Sequence, residues 1–170
     1  MTFRPEDAMG YWLFYAHRCV AYAFSEVLRQ ACLDEKKPYT VTPPQFGVLA
    51  LLYEGDGVTI GVISQKRGVD APTITGIVQR LEQSGLVERR HDRRDRRVVK
   101  VYLTAEGQGS KGFLTDAAER FNALMTRGFS ETQEQELRTK LQQIIVNLSA
   151  AAPGAGDRFG LLPDDFHCDQ

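Results

Sequence analysis

The sequence predicts a mainly α-helical protein with a small β-hairpin: a winged helix-turn-helix flanked by a helical dimerisation region. Three observations lead there. Apolar residues recur at spacings of three and four over long stretches near both ends of the chain. Between those stretches, two short segments with good helix-capping residues lie three residues apart. The run ERRHDRRDRRVVKVYLT, residues 88–104, then places six arginines in nine positions beside a strand-like alternation.

Trp12, Ala16, Cys19, Val20, Ala23, Val27 and Leu28 give one long helix, over about residues 7–33, a wide apolar face. The segment DEKKPYTV breaks it. Thr42 is suited to cap a second helix whose first turn holds Pro43 and Pro44, where a missing amide donor costs least. That helix runs to about Tyr53 and stops at the turn GDGV. Thr59 caps a short third helix through Arg67, Gly68 suits the left-handed stop after it, and Asp70 caps a fourth through Ser84. Gly85 ends the fourth helix. LVERR and VVKVYL follow as two strands joined by the loop from His91 to Arg97. Thr104 caps a fifth helix carrying Phe113, Leu114, Ala117, Phe121 and Leu124. Ser130 with Gln133 reads as the capping box of a sixth, with Leu137, Leu141, Ile144, Ile145 and Leu148 on one stripe. The expected organisation is residues 1–40 as an N-terminal dimerisation helix, 41–103 as the winged helix-turn-helix, 104–150 as C-terminal dimerisation helices, and 151–170 as a Pro/Gly-punctuated tail.

Composition narrows the function classes. A chain of 170 residues with 42% apolar and 25% charged residues builds one globular unit. Its net charge of −1 conceals an asymmetry: residues 64–103 hold ten Lys or Arg against five Asp or Glu, so this window is +5 and the remainder −6. Such a distribution fits one face that meets a polyanion. The apolar stretch from Tyr11 to Phe24 follows Glu6 and Asp7 and contains His17 and Arg18, so it reads as a helix rather than a signal peptide. A cytoplasmic protein without membrane association is expected. Cys19, Cys32 and Cys168 are odd in number and form no CxxC pair, against a disulfide framework. Nothing resembles a nucleotide loop, a nucleophile elbow or a catalytic acid–base pair, so no enzyme and no cofactor are expected. His167 and Cys168 are adjacent in the tail, too little by itself for a metal site.

A helix-turn-helix followed directly by a basic hairpin is a winged helix, whose second helix enters a major groove while the hairpin reaches for phosphates or the adjacent minor groove. An isolated charge run is commonly a solvated face; its place after two capped helices favours double-stranded DNA. In DAPTITGIVQRLEQSG, residues 70–85, Ile74, Ile77, Val78 and Leu81 form the inward stripe and leave Thr73, Thr75, Gly76, Gln79 and Arg80 outside. Small polar residues in the first turn allow close approach to base edges, and Gln79 and Arg80 supply longer contacts. Arg80 has a structural alternative as an ion-pair partner. In the loop, Arg93, Arg94, Arg96 and Arg97 suit phosphate and a narrow minor groove through their planar, permanently charged forks.

The runs TPPQFGVLALL and DAPTITGIVQRLEQSGLVERRHDRRDRRVVKVYLTAEG resemble the MarR family of winged-helix transcriptional regulators, and the resemblance extends over about residues 10–148. Asp92-Arg93-Arg94-Asp95-Arg96-Arg97 is similar to the family's DPxDRR wing, followed by LT-x-x-G as Leu103, Thr104 and Gly107. Arg93 stands where the family has proline, giving a more cationic and less rigid tip. The resemblance implies that Asp95 braces the wing by pairing with an arginine and that one of Arg96 or Arg97 enters the minor groove. It implies a homodimer with interlocked terminal helices, a roughly palindromic operator, and a repressor that releases DNA when a small aromatic acid binds or a cysteine is oxidised. Tyr15, Arg18 and Tyr22 fall at helical spacing and could stack a ring and pair a carboxylate, or pack a dimer interface. Cys19 has only His17 and Arg18 nearby to lower its pKa, and a buried, inert thiol is expected rather than a redox sensor. The reading from another class is an interaction module whose winged helix docks protein.

Overall fold

A computed structural model describes residues 4–92 and 95–151. A short 3-10 turn, Pro5–Asp7, precedes α1 (Met9–Asp34); α2 (Pro43–Glu54), β1 (Val58–Thr59), α3 (Ile60–Arg67), α4 (Ala71–Gln83), β2 (Val87–His91), β3 (Val99–Leu103), α5 (Ala105–Gly109), α6 (Lys111–Met125) and α7 (Glu131–Ala151) follow. Among the described residues no helix is long and apolar enough to cross a membrane. The fold is mainly α with a small antiparallel sheet, as its sequence predicts.

Local capping chemistry sets most boundaries. The buried side-chain oxygen of Gln45 accepts from the backbone N–H and the hydroxyl of Thr42, both at 2.9 Å, at the start of α2. Thr59 Oγ1 accepts from the Val62 amide at 3.3 Å, and Asp70 Oδ1 from the Thr73 amide at 2.9 Å. Gly68 sits at φ 57°, the left-handed stop between α3 and α4. At the head of α7, Gln133 Oε1 accepts from the Ser130 amide at 2.8 Å and Ser130 Oγ from the Gln133 amide at 3.3 Å.

Two features depart from the sequence reading. The sheet has three strands in the order β1-β3-β2, because Val58 and Thr59 pair antiparallel with Val101 and Lys100. The helix expected to run on from Thr104 is divided at Ser110, buried, whose hydroxyl donates to the Gly107 carbonyl at 2.7 Å and meets the Tyr53 hydroxyl at 2.8 Å.

The core lies beneath the helix-turn-helix. Val48, Leu49 and Leu52 of α2, Ile63 of α3, and Ile74, Ile77, Val78 and Leu81 of α4 are buried against Leu86, Val87, Val101 and Leu103. Each such side chain contributes about 1.5–3 kcal/mol on leaving water. The C-terminal third of α1 joins this core through Leu28, Ala31 and Cys32, and the rings of Phe24 and Phe121 stack at 4.8 Å to hold α1 on α6. At the junction of α5 with the head, Thr104 donates its amide to the Leu86 carbonyl at 3.1 Å and its hydroxyl to the Gly85 carbonyl at 2.6 Å. A Cβ on Gly107 would collide with that same Leu86 carbonyl oxygen.

The terminal helices are different. No residue of α7 is buried, and the N-terminal half of α1 exposes Met9, Trp12, Phe14, Tyr15 and Tyr22, with Tyr22 73% exposed. Cys19 is exposed on this same uncovered part of α1, against the expectation of a buried thiol, while Cys32 is fully enclosed.

Candidate nucleic-acid interface

The amphipathic pattern of α4 decides what it can offer. Ile74, Ile77, Val78 and Leu81 face the core, leaving Thr73, Thr75, Gln79 and Arg80 exposed and Gly76 half-buried. The hydroxyls of the two threonines are not loose: Thr73 Oγ1 donates to Asp70 Oδ2 at 2.8 Å, and Thr75 Oγ1 donates to the Ala71 carbonyl at 2.8 Å. Both residues therefore present a methyl group and acceptor lone pairs outward. Arg80 lies back along the helix, with one guanidinium nitrogen 4.0 Å from where a Cβ on Gly76 would stand. Gln79 is exposed one turn before Glu82.

The hairpin formed by β2 and β3 is registered from Val87 opposite Leu103 to His91 opposite Val99. Lys100 Nζ bonds Asp92 Oδ2 at 2.6 Å where the hairpin leaves the sheet. At the tip, Asp95 Oδ1 accepts from the Arg97 amide at 3.0 Å and from Arg97 Nε at 3.2 Å, and Oδ2 from Arg97 Nη2 at 3.2 Å. Those bonds hold the Asp95 carboxyl below the usual carboxylate range, the side-chain bonds from Arg97 most of all. The Arg97 side chain stays 92% exposed even so. His91 Nδ1 lies 2.7 Å from the Arg96 carbonyl, which can only accept, so this nitrogen carries the proton. Among the described residues none bonds the exposed Arg96 guanidinium. Arg93 and Arg94 lie outside the described residues, as do His167 and Cys168.

Nearer the body of the molecule the arginines are engaged. Arg90 pairs with Glu88 and stands over the Tyr102 ring at 5.2 Å. Arg89 bonds Glu82 of α4 through its backbone amide at 3.2 Å, Nε at 3.0 Å and Nη2 at 2.6 Å. Neither Arg89 nor Glu82 belongs to the site residues expected from sequence; their separation of seven residues carries no signal before the turn between them is known.

The residues expected to hold an effector do not converge. Tyr15 rests against Tyr11 at 4.7 Å and Phe14 at 5.4 Å, Arg18 stands over Phe14 at 5.6 Å, and Tyr22 projects into solvent. None of the three lines the cavity of about 710 Å³ between α1, α2 and the junction of α3 with α4. That cavity is bounded from α1 by His17, Ala21, Phe24 and Ser25, with Phe46 and Arg67 opposite. Helical spacing put Tyr15, Arg18 and Tyr22 on one face, and it is the other face that meets the head.

Residues 39–98 match the model of the MarR family. The chain is 32% identical over 130 residues to the HTH-type transcriptional repressor MdtR of Bacillus subtilis (strain 168), covering 76% of this chain and 81% of that one. It is 36% identical over 100 residues to the HTH-type transcriptional regulator TtmR of Methylorubrum extorquens (strain PA1), covering 59% of this chain and 49% of that one. The chain thus spans about half the length of TtmR, and 56% of a second curated relative. The solved structure of BpsR from Bordetella bronchiseptica superposes with a TM-score of 0.68 at 22% identity, over 85% of this chain and 97% of that one, a likeness of fold.

Proposed function

The chain belongs to the MarR family, and on that premise we propose that it is a homodimeric, sequence-specific double-stranded DNA-binding transcriptional regulator, a repressor acting in the cytoplasm. The observation that carries this reading is the exposed face of α4, Thr73, Thr75, Gln79 and Arg80, standing beside a hairpin whose Arg96 guanidinium has no partner among the described residues. In this reading Gln79 and Arg80 meet base edges and backbone, Thr73, Thr75 and Gly76 allow close approach, and the wing takes the minor groove. On the same reading Asp95, which bonds Arg97, is the brace and Arg96 is the arginine for the minor groove, while Arg93 and Arg94 contribute their charge to DNA contact. Dimerisation is supported by α7, which has no buried residue, and by the exposed aromatic half of α1. Two recognition helices about one helical turn apart call for a roughly palindromic operator.

For an effector, the cavity beneath the head is the better place than the face of Tyr15, Arg18 and Tyr22. Its walls are mostly apolar, with His17 and Ser25 among them, and Arg67 supplies a permanent positive charge, a combination that suits a small aromatic acid. In BpsR, 6-hydroxynicotinic acid regulates DNA binding.

The test is selection of duplexes by the purified protein from a random pool, followed by affinity measured against salt. A selected palindrome and a steep loss of affinity between 50 and 200 mM salt are expected of about six or more phosphate contacts. Salt-insensitive binding with no selected sequence would overturn the reading in favour of a protein-docking module. Titrating salicylate into the complex should release DNA, and Arg67→Ala should abolish the release while Arg18→Ala leaves it intact.

A further inference from the structure

The recognition helix and the wing are joined by only Ser84, Gly85 and Leu86, yet both must meet one duplex at once. Gly85 takes φ 72°, so the chain reverses sharply there and β2 returns alongside the end of α4. Strand alternation puts Val87 and Arg89 on one face of β2, and Arg89 is registered against the buried Val101. Arg89 therefore occupies a position on the core-facing side of the sheet, turned toward α4 and away from the outer face. Its three donors converge on the single carboxylate of Glu82, at 3.2, 3.0 and 2.6 Å, one helical turn beyond Gln79.

We infer that Glu82 and Arg89 are positioning residues that lock the angle between the recognition helix and the wing, and so set operator selectivity without touching DNA. The inference rests on the DNA-binding reading above. The lever arm explains why a lock matters. A five-residue hairpin extends about 17 Å from its root, so about 10° of slack there displaces the tip by about 3 Å. Hydrogen bonds fail over a smaller distance. With the angle fixed, correct seating of Gln79 in one groove delivers Arg96 to the next; with it loose, each must find its contact alone. Buried Leu81, Leu86 and Val87 hold the elements together but resist rotation weakly, being apolar contacts without direction. A carboxylate gripped by a planar guanidinium and a backbone amide is directional. Arginine also fits where alternation would otherwise place an apolar residue, because its methylene stem covers the sheet and its fork reaches the helix.

The test uses the full chain and the tightest duplex recovered from a random 30-base-pair pool, with a scrambled duplex as control. Glu82→Gln and Arg89→Gln should each weaken binding to the selected duplex by about fivefold, the scale of one exposed charged pair in each of two half-sites. Binding to the scrambled duplex should stay within about twofold and the melting temperature within about 2 °C. The charge swap Glu82→Arg with Arg89→Glu should recover selectivity. A further readout is the coupling between Gln79→Ala and Arg96→Ala, whose losses should be non-additive in the native background and additive in Glu82→Gln. Unchanged selectivity with an intact fold, or a swap that rescues nothing, would overturn the proposal. Equal losses on both duplexes would overturn it too, by making Arg89 a phosphate contact. Should the native chain bind neither duplex, the DNA-binding reading itself falls and this inference with it.

Discussion

The head between α2 and β3 and the terminal helix α7 are built from similar proportions of apolar residues and use them oppositely. In the head, four apolar residues of α4 alone are buried and the surface is polar. In α7 the stripe of Leu137, Leu141 and Leu148 remains exposed, by 39–59%. Burial follows from partners and not from composition: the head packs on its own sheet and on the C-terminal third of α1 and on α6, whereas α7 has no buried residue within a single chain. The head is thus covered within one chain, and α7 and the exposed part of α1 are the surfaces that the proposed dimer would cover.

The sharpest way to break this contrast is to charge the uncovered stripe. Leu137→Glu with Leu141→Glu should abolish dimerisation and weaken operator binding on the order of a thousandfold, because each half-site loses its linked partner. Sedimentation and operator titration check this, with the far-ultraviolet spectrum of the head unchanged. Leu81→Ala, by contrast, should cost about 3 kcal/mol of folding stability by leaving a cavity beneath the recognition helix. Leu148→Ala should lower the melting temperature only at concentrations where the dimer forms, a dependence visible by dilution.

Smaller effects sharpen the picture of the head. Arg96→Ala should weaken operator binding about tenfold and reduce the salt slope by about one for each half-site, whereas Arg97→Ala acts by loosening the Asp95 brace. Because the Thr75 hydroxyl is spent on the Ala71 carbonyl, Thr75→Val should hold operator affinity within about twofold, and Thr75→Ser, which keeps the hydroxyl and loses the methyl, should do worse. Acid has the smallest effect. Arg89 holds the Glu82 carboxyl below the usual range, and Tyr39, then Lys37, do the same for Glu106. Lowered carboxyls stabilise fully above the ordinary carboxylate range and lose that contribution as pH falls through their folded values, so thermal stability should decline from these groups as pH falls below about 5.

Which parts of this were legible in the sequence follows from the range of the interaction. Caps are settled within three or four residues, and Thr42, Thr59, Asp70 and Ser130 with Gln133 stand where the sequence puts them. The pairing of β1 with β3 joins residues more than forty apart, and two residues have no periodicity to read. The break at Ser110 depends on Tyr53, equally remote. At the interface, the inward and outward faces of α4 were legible because one periodic stripe decides both. The engagement of the Thr73 and Thr75 hydroxyls was not, nor was the face of α1 that meets the head. Spacing groups residues on a face without saying what stands opposite.

The contact at Gly107 has a mechanical meaning. With no side chain between them, the first turn of α5 and the carbonyl of Leu86 form a fulcrum that admits no third body and leaves no room to slide. Thr104 pins the same joint from beside it. The helix that leads out of the head and the bend that leads into the wing therefore turn as one crank. In the two-fold dimer proposed above, a displacement carried across this joint would turn the head and change the stride between the two α4 helices.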